Sequence, residues 1–250
     1  MKKIDKIDNY IKALRLPIDG DRIIKLTDQA AAKNISFMQY TEELLTIMMG
    51  TKNKRALEKR IKEAQLPVNH ELERFDCSII NGMSPVLLAQ LKELTWVDQL
   101  LNLIIMGPPG VGKTFLCAGL CHLAANRGYK AYFRKMEALM SILSKKDINR
   151  AAAIEYRRLI KADLLIIDDI MMIDPDQRRS NVFFHFINEI YESTAIVVTT
   201  NKSPKEWVDK LGDEVLTAAV LDRLLHHSEI IQLSGESQRK LKRKESFFKR

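Results

Sequence analysis

Eight consecutive residues at positions 107–114 carry the clearest chemical signal in the sequence. They match the phosphate-loop pattern of a glycine, four residues of any type, a second glycine, a lysine and a threonine. The residues are Gly107, Pro108, Pro109, Gly110, Val111, Gly112, Lys113 and Thr114. The amides of such a loop and of the helix that follows it point at one anion. We therefore expect Lys113 to reach the β- and γ-phosphates of a nucleotide and the Thr114 hydroxyl to bind Mg²⁺.

Two adjacent carboxylates, Asp168 and Asp169, end an apolar run that begins at Leu164. A strand that ends in acids at the ligand-binding edge of a parallel sheet resembles a Walker B strand. In that role Asp168 would hold Mg²⁺, and Asp169 would orient and deprotonate the water that attacks the γ-phosphate. The alternative is that the two residues only cap the next turn of the chain.

Two further polar side chains stand near strand or helix ends. Asn201 follows an apolar run and resembles sensor 1 of AAA+ ATPases, although a turn before a Ser-Pro pair also favours asparagine. Arg223 ends a helical pattern and resembles the AAA+ arginine finger, whose guanidinium suits developing phosphoryl charge on a neighbouring subunit's nucleotide. An arginine in that place also stabilises the helix macrodipole without any catalytic role.

The elements that must position these residues alternate between strand and helix from about residue 70 onward. We predict strands at 103–106, 131–134, 164–168, 195–199 and 229–233. Helices are predicted at 113–127, closed by Gly128, and at 175–192, opened by Asp174 with Pro175 in its first turn. This alternation indicates an α/β fold with a parallel five-stranded sheet between helices.

The segment before this sheet is predicted to form a small block of basic helices. The second helix should follow Asp19-Gly20, and the third should open at Ser36, where Gln39 three residues on completes a capping-box pattern. We expect Gly50 to end the third helix and a further basic helical stretch to continue until Pro67. The predicted domains are therefore 1–67 and 68–250.

The composition excludes several classes of protein. A hydrophobic content of 46% with 29% charged residues is typical of a cored, globular chain. No apolar run approaches the roughly 18 residues that span a bilayer, and the charged start differs from a signal peptide, so we expect a cytoplasmic protein without a membrane partner. Three cysteines are too few for a disulfide framework, and Cys117 and Cys121 are spaced to pack together in the core. Forty basic against thirty-two acidic residues give a net charge of +8, which favours nucleic acid as a partner.

The order of the motifs along nearly the whole chain resembles IstB, the ATP-binding helper family of insertion-sequence transposition, and the related DnaC-type helicase loaders. The motifs are GPPGVGKT at 107–114, LLIIDD at 164–169, VVTTN at 197–201, LDRLL at 221–225 and GESQR at 235–239. The resemblance implies an AAA+ P-loop NTPase core, a small all-helical N-terminal domain and a vestigial C-terminal lid. It also implies a homo-oligomer that binds ATP and Mg²⁺ at its subunit interfaces.

The resemblance also implies roles for individual residues. Lys113, Asp169 and Asn201 would act within one subunit, and Arg223 would reach the next. Arg239 falls where the family has its sensor 2 arginine, although its basic neighbours make a role in facing DNA an equal alternative. The implied activity is ATP-dependent assembly on double-stranded DNA in the nucleoid, with recruitment and stimulation of a cognate transposase at its target. Candidate DNA contacts are Lys145, Lys146, Arg150, Lys240, Lys242 and Arg243.

Two other functions share the phosphate loop. A DnaC-type helicase loader would have the same catalytic core but a helicase-binding N-terminal segment, whereas the helical block here looks more like that of the transposition helpers. A small-molecule kinase would need a lid that binds its acceptor. Asp169 and Arg223 fit better with activation of a water molecule and with an ATP site that a neighbouring subunit completes. We therefore expect a transposition helper. Phe75 either lines the adenine pocket, by analogy with this family, or packs in the core.

Overall fold

The computed structural model describes residues 3–68, 70–170, 177–202, 206–207 and 214–237. Its helices are α1 (Lys3–Leu14), α2 (Gly20–Lys33), α3 (Phe37–Ala64), α4 (Pro85–Glu93), α5 (Thr95–Asp98), α6 (Lys113–Arg127), α7 (Met136–Lys145), α8 (Arg150–Leu159), α9 (Gln177–Ile190) and α10 (Glu214–Leu225). Its strands are β1 (Asn102–Met106), β2 (Ala131–Lys135), β3 (Leu164–Asp168), β4 (Ala195–Thr200) and β5 (Ser228–Gln232). Within these ranges no helix is long and apolar enough to cross a membrane.

The five strands form one parallel sheet in the order β2-β3-β4-β1-β5. β3 and β4 are buried along their whole length, because a parallel strand covered on both faces needs apolar residues on both. One apolar cluster lies on each face of the sheet, with α6 in the first and α7 and α9 in the second. All five strands predicted from the sequence are present, and no boundary is off by more than one residue.

The two predicted core helices are also present. α6 has the predicted bounds, because Gly128 takes a left-handed φ of 107° and its N–H bonds to the last carbonyls of the helix. α9 ends at Ile190, two residues before the predicted end. Its predicted first turn, with Asp174 and Pro175, lies outside the described residues, as does the segment that would hold the vestigial lid.

Both cysteines of α6 lie in the core, as predicted. Cys117 and Cys121 have no exposed surface. Burial raises the pKa of both thiols, that of Cys121 to about 12. The two side chains are therefore neutral core groups at physiological pH and pack as small hydrophobic residues.

The chain divides into two compact units, Met1–Lys59 and Arg60–Arg250. The first unit contains α1, α2 and most of α3. Asp19 caps α2 by accepting a hydrogen bond from the Arg22 N–H at 2.7 Å, and Ser36 caps α3 by accepting one from the Gln39 N–H at 3.2 Å. Both predicted helix starts are therefore confirmed. The domain boundary at 67/68 stays a prediction.

The prediction that Gly50 ends the third helix is wrong. α3 continues through Gly50 to Ala64, a length of 28 residues. A C-terminal glycine ends a helix by taking a left-handed conformation, and Gly50 is not among the glycines with positive φ. The helix-forming residues that follow, from Lys52 to Arg60, make continuation more favourable. The glycine then costs this helix about 1 kcal/mol relative to alanine.

The end of α3 is joined to the sheet by a buried arginine on β2. Arg134 is 1% exposed and donates to the carbonyl oxygens of Glu63 and Ala64 at 3.0 and 2.9 Å. Its guanidinium also pairs with the Glu155 carboxylate on α8. Glu155 in turn accepts a hydrogen bond from Arg158 at 3.0 Å. The single acidic group thus balances a cation that has almost no contact with water.

Replacing Glu155 by alanine should strongly destabilise the protein. The change would leave the Arg134 guanidinium buried without its counter-ion, which costs about 3–5 kcal/mol of unfolding free energy. Urea denaturation followed by circular dichroism measures the loss. The matched control is Glu71→Ala, which breaks an exposed ion pair with Arg74 and should cost less than about 1 kcal/mol. Equal losses for the two variants would contradict the structural role given to the buried pair.

Candidate functional site

The phosphate loop connects β1 to α6 and is held by the neighbouring strands. The Gly107 N–H donates to the Thr200 carbonyl at the end of β4 at 3.2 Å. A side chain at position 107 would not fit, because its Cβ would lie 2.2 Å from the carbonyl oxygen of Leu233. Gly112 has a φ of 105°, which is strained for any residue with a side chain. The loop therefore needs glycine at position 107 because a side chain has no space there, and at position 112 because of its backbone conformation.

The ammonium of the loop lysine is bonded to the backbone of the loop itself. Lys113 is 6% exposed, and its ammonium donates to the carbonyl oxygens of Gly107 and Pro108 at 2.7 and 3.0 Å. These bonds hold the cation against the first two residues of the loop. A compact charge in that place can move from backbone oxygens to phosphate oxygens with little rearrangement.

The carboxylate of Asp168 joins three elements at the carboxyl edge of the sheet. It ends β3 and accepts hydrogen bonds from the Thr114 hydroxyl of α6 at 3.0 and 3.2 Å and from the Thr199 hydroxyl of β4 at 2.7 Å. Burial raises the pKa of Asp168, as does the neighbouring Asp169 charge, whereas the bonds from Thr199 and Thr114 lower it. The structure thus brings Thr114 and Asp168 together as the sequence motifs predict.

Asp169 leaves the strand in an unusual conformation. Its φ is 56°, in the left-handed region that non-glycine residues seldom adopt. Its N–H donates to the Thr199 hydroxyl at 2.9 Å, and the next N–H, that of Ile170, donates to the Thr199 carbonyl at 3.1 Å. The Asp169 side chain is exposed, so it points away from the core at the same edge as the phosphate loop.

Thr199 is the site residue that the sequence analysis missed. Its hydroxyl donates to Asp168 and accepts from the Asp169 N–H, and the side chain has no exposed surface. A threonine at the end of an apolar strand is an ordinary β-former, so composition alone gives no signal for it. The usable signal is its position, because β4 lies between β1 and β3 and its end must adjoin both motifs.

Six further predicted residues lie at the sheet edge, in the core, or outside the described part of the chain. Asn201 directly follows β4 and is exposed, at the same sheet edge as the phosphate loop. Phe75 is buried, and its ring stacks on that of Phe115 at a centroid distance of 6.2 Å. It also lies 3.4 Å from where a Cβ on Gly112 would be, so it packs in the core and against the loop at once. The other four, Arg239, Lys240, Lys242 and Arg243, lie outside the part of the chain that the structure describes.

Arg223 lies on α10 and is held against α9. Its Nε donates to Asn188 at 2.9 Å, and its Nη1 donates to the Ala219 carbonyl at 2.9 Å. The guanidinium carbon lies 4.9 Å from the ring centre of Phe184 and 5.5 Å from that of Tyr191. None of these four partners belongs to the phosphate loop or to β3. A role on a neighbouring subunit's nucleotide stays a prediction.

The three predicted DNA contacts that the structure describes lie around the α7–α8 connection. Lys145 is the last residue of α7, and Arg150 is the first of α8. The Lys146 ammonium lies 4.0 Å above the Tyr156 ring, a cation–π contact. Lys145 and Arg150 are exposed and Lys146 is half-buried, and contact with DNA by these residues stays a prediction.

Comparison with known proteins identifies the family. The model for IstB-like ATP-binding proteins matches residues 9–246. The chain belongs to the IstB-like ATP-binding family. It is 34% identical over 247 residues to an insertion-sequence IS21-like ATP-binding protein of Bacteroides fragilis, covering 99% of this chain and 94% of that one. It is also 34% identical to an insertion-sequence IS21 ATP-binding protein of Pseudomonas aeruginosa, with 96% and 91% covered.

Solved structures confirm the fold of this IstB-like chain. The DnaC helicase loader superposes with a TM-score of 0.55 at 16% identity, over 67% of this chain and 98% of that one. AMPPCP-bound DnaA from Aquifex aeolicus also gives a TM-score of 0.55, at 20% identity, over 74% of this chain and 56% of that one. The fold is that of an AAA+ P-loop ATPase, and the family is that of the IstB-like ATP-binding proteins, whose similar relatives are named as insertion-sequence proteins.

Removing the Thr199 hydroxyl should slow ATP hydrolysis without weakening ATP binding. Thr199→Val keeps the shape of the side chain but releases both Asp168 and the Asp169 backbone, so we expect kcat to fall about 10- to 100-fold, as for other residues that orient catalytic ligands. Thr199→Ser keeps the hydroxyl and should restore most of the rate. Steady-state phosphate release and binding of a fluorescent ATP analogue separate the two effects.

The control for this variant is Thr194→Val. Thr194 is also fully buried, and its hydroxyl donates to the Ala162 carbonyl. It directly precedes β4, at the opposite end of that strand from Thr199. Loss of that bond should lower stability but leave kcat of the folded protein unchanged. The same fall in kcat for both valine variants would show that Thr199 acts only through packing.

Proposed function

We propose that this protein hydrolyses ATP with Mg²⁺, assembles through its ATP sites on double-stranded DNA of the nucleoid, and recruits and stimulates the transposase of its insertion sequence. The observation that carries the proposal is the convergence of the phosphate-loop Thr114 with the buried Asp168 carboxylate at one sheet edge. The family of insertion-sequence ATP-binding proteins supports the transposition context. The net charge of +8 supports a polyanionic partner.

The oxygen atoms at this edge fit Mg²⁺. A hydroxyl and a carboxylate 3.0 Å apart are hard donors of the kind that Mg²⁺ takes, with its other positions left to water and phosphate. Thr114 and Asp168 would hold the ion, directly or through water. The chemistry that Mg²⁺ would supply there is neutralisation of the charge that develops on the transferred phosphate.

Asp169 and Lys113 then have distinct tasks. Lys113 binds phosphate oxygens once its ammonium leaves the loop carbonyls. Asp169 is exposed beside Asp168, so its carboxylate can accept a proton from a water molecule that attacks the γ-phosphate. Asn201, at the end of the strand between the two motifs, is placed to orient that water or the phosphate itself. Arg223 completes the site of a neighbouring subunit.

Two inactive variants should restore activity when they are mixed. Asp169→Asn removes the base but keeps Arg223, whereas Arg223→Ala removes the arginine but keeps the base. Each variant protein by itself should lose at least about 10²-fold in ATP turnover. In an equal mixture about one interface in four joins an intact site to an intact arginine, if subunits associate head to tail at random. ATPase assays on the mixture measure the recovery, with Asp163→Asn, at the other end of β3, as the control for loss of an acid. A mixture as inactive as its components would show that Arg223 does not act across an interface.

The DNA-binding part of the proposal is tested with labelled double-stranded and single-stranded DNA of equal length. We expect tighter binding to the duplex with ATP than without it, accompanied by larger assemblies in light scattering. Binding should weaken steeply with salt, because contacts to phosphates release counterions. A preference for single strands would indicate a helicase loader instead. Absence of binding to both DNAs would remove DNA from the function altogether.

A further inference from the structure

A groove in the N-terminal unit carries a feature that the ATP site does not explain. It lies beside the start of α2 and the middle of α3 and has a volume of about 490 Å³. Ile18 and Ile47 form its less exposed floor, Gly50 lies in its wall, and Arg22, Lys54 and Arg55 stand exposed at its rim. We refer to it as the α2–α3 groove. All of these residues lie within the unit Met1–Lys59.

The charge of the α2–α3 groove is unbalanced. Asp19 is the one acid that lines it, and an oxygen of its carboxylate accepts the Arg22 N–H as the cap of α2. Among the described residues, none forms an ion pair or a hydrogen bond with the side chains of Arg22, Lys54 or Arg55. Three exposed cations on two helices therefore surround an apolar floor and have no partner in the described part of the chain, an arrangement suited to a ligand that carries several negative charges.

Gly50 is the second, independent observation. It lowers the stability of α3, which continues through it, yet its backbone does not take the positive φ that would require glycine. A Cβ built at this position meets no atom within 4 Å, so packing against the described residues does not require glycine either. What the missing side chain does provide is open space in the wall of the groove. Glycine in such a place permits the close approach of a ligand.

We propose that the α2–α3 groove binds the sugar–phosphate backbone of duplex DNA. Guanidinium and ammonium groups bind phosphate oxygens, and arginine can bind a phosphate through two parallel bonds. The deoxyribose carbons would lie on Ile18 and Ile47, and the backbone would pass Gly50. This inference rests on the proposed binding of duplex DNA and places part of that contact outside the ATPase unit.

The groove favours DNA over an acidic protein segment. A helical peptide bound between two helices depends on several apolar anchors that enter pockets along the groove. The α2–α3 groove offers two isoleucines, one of which is already buried at 8% exposure. Its rim instead supplies charge on both sides, as is typical of contacts to the DNA backbone, which position a protein without reading sequence.

The test uses the full-length protein and a labelled duplex in the presence of ATP. The variant Arg22→Gln, Lys54→Gln, Arg55→Gln should lose at least about tenfold in affinity, and the slope of log affinity against log salt should fall by about 2 to 3, because each lost phosphate contact contributes about 0.9. The matched control is Lys12→Gln, Lys25→Gln, Lys33→Gln, which removes the same charge from exposed positions of the same unit. Its slope should change by less than about 1.

A second variant separates the groove from general electrostatics. Gly50→Leu changes no charge, fills the groove and replaces glycine by a good helix former. We expect its thermal midpoint to equal or exceed that of the wild type while its affinity for the duplex falls. Wild-type affinity for Gly50→Leu, or equal losses for the two triple variants, would overturn the assignment of the groove and leave DNA binding itself intact.

Two other outcomes are decisive. If the wild-type protein binds no duplex under any nucleotide condition, both this assignment and the DNA-binding part of the proposed function are wrong. If the groove variants bind DNA normally but no longer stimulate the transposase, the groove takes an acidic protein partner and the assignment to DNA is overturned.

Discussion

The hydrogen bonds to the buried carboxylate of Asp168 are the constraint on which the site depends. Taking a charge out of water is costly, and here two hydroxyl groups, from Thr114 and Thr199, offset that cost. The two donors come from α6 and β4, whereas the carboxylate comes from β3. The bonds can form only because β4 separates β3 from β1 in the sheet. Strand order, and not only the motifs, therefore assembles the catalytic edge.

The parts of the structure that the sequence predicts are those with a local cause. Continuous apolar runs predict buried parallel strands, and a glycine directly after a helical pattern predicts the end of α6. Both signals lie in or next to the element that they predict. Thr199 and Arg134 could not be found in this way. The partners of Thr199 lie about 30 residues away, and the carbonyl of Ala64 lies 70 residues from Arg134. Such contacts exist only once the sheet has formed.

Gly50 also shows the limit of local sequence rules, because here they predict a helix end that the structure does not have. Local rules treat a glycine after an amphipathic run as a stop, but here the helix formers on both sides outweigh its cost, and α3 is continuous. A residue that local rules and packing both fail to explain calls for a cause outside the chain. The unbalanced charge around the α2–α3 groove supplies one, because a polyanion that approaches this wall would use the space that glycine leaves.

The proposed action of Arg223 on a neighbouring subunit agrees with the way in which its side chain is held. A flexible arginine loses side-chain entropy when it meets a phosphate, and this loss reduces the benefit of the contact. Here Asn188 binds Nε, the Ala219 carbonyl binds Nη1, and the rings of Phe184 and Tyr191 lie 4.9 and 5.5 Å from the guanidinium carbon. Among the described residues, Nη2 has no hydrogen-bond partner. The cation is thus oriented before any neighbour arrives, which is the condition under which a fixed charge stabilises a transition state most effectively.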